Sequence, residues 1–140
     1  MSTRRPSGNW MPATLLVGAS YAIMGKLFTL PTANVLAWRR GAWVASAVVF
    51  AGHIAFEHFK RRSSARATAT HAAIAVAIAA AALALAATLQ DLAGGHPVRP
   101  VMLLAIVLWP VLLAIPAFVV AFAASAVLAR LSSNSAHSLP

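Results

Sequence analysis

Ionisable side chains are scarce in this chain of 140 residues: two acids, Glu57 and Asp91, and five histidines stand among long apolar runs. The densest set follows a helical repeat. Arg39, Trp43, Ser46, Phe50, His53 and Glu57 are separated by 4, 3, 4, 3 and 4 residues, which puts them on one helix face. His53 and Glu57, four apart, can hydrogen-bond along that face. Histidine titrates near neutrality and a neighbouring carboxylate tunes it, so a proton-handling pair is the sharp reading. The plainer reading, preferred here, is a satisfied polar pair near one end of the helix, with Glu57 also reaching Arg61 one turn on. A transport path needs polar groups at mid-depth, and the apolar runs at 71–92 and 101–128 carry almost none.

Other chemistries find less support. His53, Glu57 and His58 supply at best two ligands on one face, short of a zinc site, and no metal is expected. A bis-histidine haem needs facing histidines at matched depth; His71 falls at a helix boundary and His53 deeper, leaving His53 as a weak single-ligand candidate for haem or pigment. There is no nucleophile–base arrangement, no glycine-rich phosphate loop and no carboxylate pair. The chain has no cysteine, which removes thiol chemistry and cysteine-based clusters. The expectation is a non-enzymatic protein without a cofactor.

Composition names the elements that must position these residues. Hydrophobic residues make up 61% and Asp, Glu, Lys and Arg 9%, against about 45–50% and about 25% in soluble domains. Thirteen formal charges cannot coat a soluble surface of this size, and disorder needs low hydrophobicity. An integral membrane protein is the class that remains. The net charge of +9 arises from eleven basic residues grouped at the ends of apolar runs rather than in a stripe with interleaved aromatics, so nucleic acid is not an expected partner.

Four apolar stretches, near 11–30, 37–59, 71–92 and 101–128, each approach the ~20 residues that a helix needs to cross a bilayer, and none alternates as a strand does. Residues 1–9 and 132–140 form a short polar N-terminus and a C-terminal tail. Arg4–Arg5 followed by an apolar run could mark a signal peptide, but the run is too long and lacks a clean small-x-small site, so an uncleaved first helix is expected. The positive-inside bias places both termini in the cytoplasm. Arg4, Arg5, Lys60, Arg61, Arg62, Arg66 and Arg130 then lie inside, and Lys26, Arg39, Arg40 and Arg99 outside, seven against four. The basic loop of Lys60, Arg61, Arg62 and Arg66 casts the strongest vote. Trp10, Trp38 and Trp43 fall at interfaces, as an aromatic belt would.

The third stretch is mostly alanine, which lets helix backbones approach closely in lipid, so it is expected to be the inner helix or the face that docks a partner. Pro110 and Pro116 should kink the fourth. The same depth arithmetic brings Asp91 level with Arg39 and Arg40, and an ion pair there is expected to tie the second and third helices together. The architecture that follows is an all-α integral membrane protein, a four-helix antiparallel bundle with N-in/C-in topology and a single membrane domain. Its alanine and arginine content fits a high-GC bacterial genome, hence a multi-pass protein of the bacterial inner membrane. The function expected first is a structural or accessory subunit of a larger assembly, its partners being the lipid bilayer and other membrane subunits or itself. The alternative is a small oligomeric transporter or channel using His53 and Glu57, and a haem- or pigment-binding subunit comes third.

Overall fold

A computed structural model describes residues 10–27, 29, 33–97 and 99–137. Arg4 and Arg5, the basic pair of the N-terminal reading, lie outside the described residues, as do residues 138–140 of the tail. The described chain is helical, with no strand: α1 (Met11–Leu27), α2 (Val35–Ala55) continued by a π turn (Phe56–Lys60), α3 (Ala65–Ala93) and α4 (Pro100–His137). Three helices are long and apolar enough to cross a membrane: Val35–Lys60, Ala65–Ala93 and Pro100–Ser132. At 17 residues α1 is shorter, about 26 Å long.

Local chemistry sets the helix ends more sharply than hydropathy does. Asn34 caps α2 by accepting from the Ala37 N–H at 3.2 Å, and Ser64 caps α3 by accepting from Ala67 N–H at 3.2 Å. The Ser64 cap starts α3 at Ala65, ahead of the apolar run at His71. At its other end Gly95 takes φ +76°, and the Gly95 and His96 amides donate to the carbonyls of Leu92 and Asp91, a Schellman closure. Pro100 opens α4, where its missing N–H costs nothing. That helix continues through Pro110 and Pro116 and on into the polar segment as far as His137, 38 residues and about 57 Å in all.

The alanine helix α3 is the hub, with α4 and α1 packed along it. Its buried residues include Ala69, Ala72, Ala75, Ala79 and Ala80. From α1, Thr14 and Gly18 are buried against it. A Cβ on Gly18 would stand 3.1 Å from the Ala75 carbonyl oxygen, so glycine is what allows these two backbones so close. Ile54, Ala69, Ala72 and Ala121 form a small apolar core, backed by Phe50, Phe118, Ala124 and Leu128. It joins α2, α3 and α4 near the α2–α3 turn.

Away from that turn α2 becomes more exposed, while Trp38 near its start still bonds the Leu27 carbonyl of α1. Along its one polar face the exposure rises from 0% at Glu57 and 5% at His53 to 80% at Trp43. This rise corrects the expected ion pair: Arg39 and Arg40 are exposed, Asp91 is half-buried, and no ion pair joins them. At the Glu57 end the two helices are held together by the bonds of Ser63 and His71 to the carboxylate and by the Ile54–Ala69–Ala72 packing.

Candidate functional site

The site at the α2–α3 turn is built on the Glu57 carboxylate, which is fully buried. Arg61 Nη1 donates to Oε1 at 3.2 Å, one turn along the chain. Ser63 Oγ donates to Oε2 at 2.8 Å, and His71 Nδ1 lies 3.1 Å from the same oxygen. The backbone makes this possible. The π turn widens the helix so that the Arg61 amide reaches back to the Phe56 carbonyl, and the Ser63 amide reaches the Glu57 carbonyl. Arg62 then takes φ +51°, a left-handed conformation that reverses the chain into the Ser64 cap. A four-residue link between helices thereby folds Ser63 and His71 back over the acid.

His71 extends the cluster to α1. Its ring stacks on Trp10, with centroids 4.8 Å apart and planes 9° from parallel. Thr14 Oγ1 bonds the Trp10 carbonyl at 3.1 Å and secures that residue at the start of the helix. One carboxylate therefore ties together α2, the turn and α3, and through His71 and Trp10 it reaches α1. Both carboxylate oxygens are engaged. Chemically this is a clamp, a buried acid with charged and neutral donors.

Of the residues singled out from sequence, Glu57 meets Arg61, the added contact of the plainer reading, while the carboxylate's hydrogen bonds go to Arg61, Ser63 and His71 and none joins it to His53. His53 is buried and lies within electrostatic reach of Glu57, His71 and Arg61, yet its Nε2 has no partner. Lys60, Arg62 and Arg66 are exposed around the turn. Ser63, His71 and Trp10 are the members that sequence reasoning missed. Ser64 held the signal: a cap there starts α3 before the apolar run and brings His71 level with Glu57 across the hairpin. For a metal, Glu57 and His71 are a pair, and among the described residues no group of three His, Cys, Asp or Glu could hold an ion.

Hollows in the surface include one of about 380 Å³ beside the Trp10–His71 stack, lined also by Ser64, Arg66 and Thr70. On one side of the α3–α4 seam an open groove of about 380 Å³ is floored by Ala73, Ala77 and Ala114 and walled by Pro110, Ile115 and Phe118. On another face lies a cleft of about 510 Å³ lined from all four helices. No residue lines both the groove and the cleft. No protein-family model, no curated protein and no solved structure matches this chain.

Proposed function

We propose that this chain is a non-enzymatic, multi-pass subunit of a larger assembly in a bacterial inner membrane. The observation that carries the reading is the alanine-floored groove between α3 and α4, which the chain's own helices leave empty. In lipid, helices associate through close packing of small residues, and a groove floored by Ala73, Ala77 and Ala114 suits a transmembrane helix of a partner subunit. In this reading α1 is a fourth crossing, at the lower end of the ~17–25 residues a span requires, with Lys26 near its end able to reach the interface. The Glu57 turn, with Lys60, Arg61, Arg62 and Arg66, faces the cytoplasm, and so do both termini. A transporter or channel using His53 and Glu57 is the lesser reading, since both carboxylate oxygens already serve the clamp.

Purification of the tagged chain in mild detergent tests this, combined with photo-crosslinking residues placed at Ala77, Ala114 and, as a control on α2, Val48. A stoichiometric integral membrane chain crosslinked from Ala77 and Ala114 and not from Val48 is the expected result. Crosslinks solely between copies of this chain would point to a homo-oligomer and displace the accessory reading.

A further inference from the structure

We propose that the hollow beside the Trp10–His71 stack holds the headgroup of an anionic phospholipid, with its phosphate at Arg66 and its first acyl carbons against Ile74. The inference goes beyond the accessory role and rests on the membrane placement proposed above. At about 380 Å³ the hollow falls in the size range of small-molecule sites. Along α3 its wall runs from Ser64 and Arg66 through Thr70 and His71 to Ile74. That order crosses from the polar start of the helix into its apolar run. Arg66 to Ile74 covers about 12 Å of helix, against ~5–8 Å for the headgroup layer on one side of a bilayer. An open hollow of that length joins the level of the phosphates to the level of the chains.

Charge selects the class of lipid. Lys60, Arg62 and Arg66 are exposed and make no ion pair among the described residues. Glu57 is buried and its charge is met by Arg61. The other acid, Asp91, stands about 38 Å along α3 from Arg66. No acidic side chain is thus exposed near the hollow to repel a phosphate. A guanidinium can hold a phosphate through two parallel N–H···O bonds. Ser64 Oγ accepts from the Ala67 N–H, which leaves its own O–H for an anion. The aromatic wall is fixed by the clamp: Glu57 Oε2 lies 3.1 Å from His71 Nδ1, and the His71 ring stacks on Trp10 with centroids 4.8 Å apart. Tryptophan favours the headgroup level. A zwitterionic lipid offers the same phosphate, but its ammonium group would meet Lys60, Arg62 and Arg66, whereas basic groups beside a span attract anionic lipid.

The test uses the full chain in phosphatidylcholine vesicles doped with spin-labelled phosphatidylglycerol or spin-labelled phosphatidylcholine, and electron paramagnetic resonance reads the motionally restricted fraction of each. At low salt a preference of about fivefold or more for phosphatidylglycerol is expected. Arg66→Gln should lower it about two- to fivefold, the worth of one basic residue near an anionic lipid. Thr70→Trp fills the hollow with every charge in place and should lower it as far. If that variant fails to fold, Arg66→Lys replaces it; the charge stays but the paired donors go, and about a twofold loss is expected. A preference untouched by Thr70→Trp or Arg66→Lys, and lowered equally by Lys60→Gln, Arg62→Gln and Arg66→Gln, would be diffuse attraction to the loop and overturn the site. Equal restriction of the two lipids by the parent would overturn the anionic assignment, and loss of the preference to millimolar inorganic phosphate at constant ionic strength would make the hollow a soluble-anion site. A chain that fractionates outside membranes defeats the membrane placement and the lipid with it, a result distinct from a membrane-bound chain without preference.

Discussion

Removing the Glu57 carboxylate should loosen the α2–α3 hairpin, and the geometry sets the size of the effect. Glu57→Ala leaves Arg61, Ser63 and His71 without their acceptor. Breaking a buried ion pair costs about 3–5 kcal/mol. Here the Arg61 and His71 side chains keep 20% and 14% exposure and can recover some hydration, which lowers the expected loss to about 2–4 kcal/mol. Glu57→Gln keeps one carbonyl acceptor and forfeits the charge, a loss of about 1–2 kcal/mol. Ser63→Ala removes a single neutral donor and should cost about 1 kcal/mol. Thermal unfolding in mild detergent should therefore rank parent, Ser63→Ala, Glu57→Gln and Glu57→Ala in falling order of stability. Limited trypsin digestion offers a local readout, because Lys60, Arg61 and Arg62 lie in the turn that the clamp holds. Cleavage there should accelerate most in Glu57→Ala. If Glu57→Ala melts with the parent and its turn is cut no faster, the carboxylate does not hold the hairpin and the argument is wrong.

The α1–α3 contact makes a finer prediction. A Cβ at Gly18 would meet the Ala75 backbone oxygen at 3.1 Å, whereas one at Gly25 would meet the end of the Leu83 side chain at 2.6 Å. Backbone yields less readily than a leucine tip, so Gly18→Ala should cost about 1–3 kcal/mol and Gly25→Ala less, despite the shorter distance; equal melting temperatures would refute this. Asp91→Lys should alter thermal stability by no more than about 0.5 kcal/mol, as a surface change does, because no ion pair joins Asp91 to Arg39 or Arg40. A marked loss in that variant would revive the pairing. For the topology, fluorescent-protein fusions that mature only in the cytoplasm should light up at both termini, and a dark C-terminal fusion with normal expression would reject the N-in/C-in arrangement.

Much of the architecture is legible in the residues themselves. Apolar runs longer than a core helix, without alternation, leave helices as the way to pair every backbone group, and the described chain is helical throughout. Asn34, Ser64 and the Gly94–Gly95 pair carry the ends of α2 and α3 in their own side-chain and backbone chemistry. The alanines of the third stretch mark the hub because close packing demands small side chains whatever the partner. Arg61 meets Glu57 because i,i+4 neighbours on a helix meet irrespective of what surrounds them. The rest depends on how helices cross. A helical repeat places His53, Glu57, Trp43 and Arg39 on one face, but it cannot say that this face is buried at one end and open at the other. Depth arithmetic likewise assumes parallel helices, and it paired Asp91 with arginines that stay exposed and make no ion pair with it. The recruitment of Ser63 and His71 to Glu57 required a π turn and a left-handed Arg62, and the cleft lined by Tyr21 and Trp43 exists because of how α2 crosses the other helices. Such features arise from contacts between residues far apart in the chain, and so only the tertiary structure decides them.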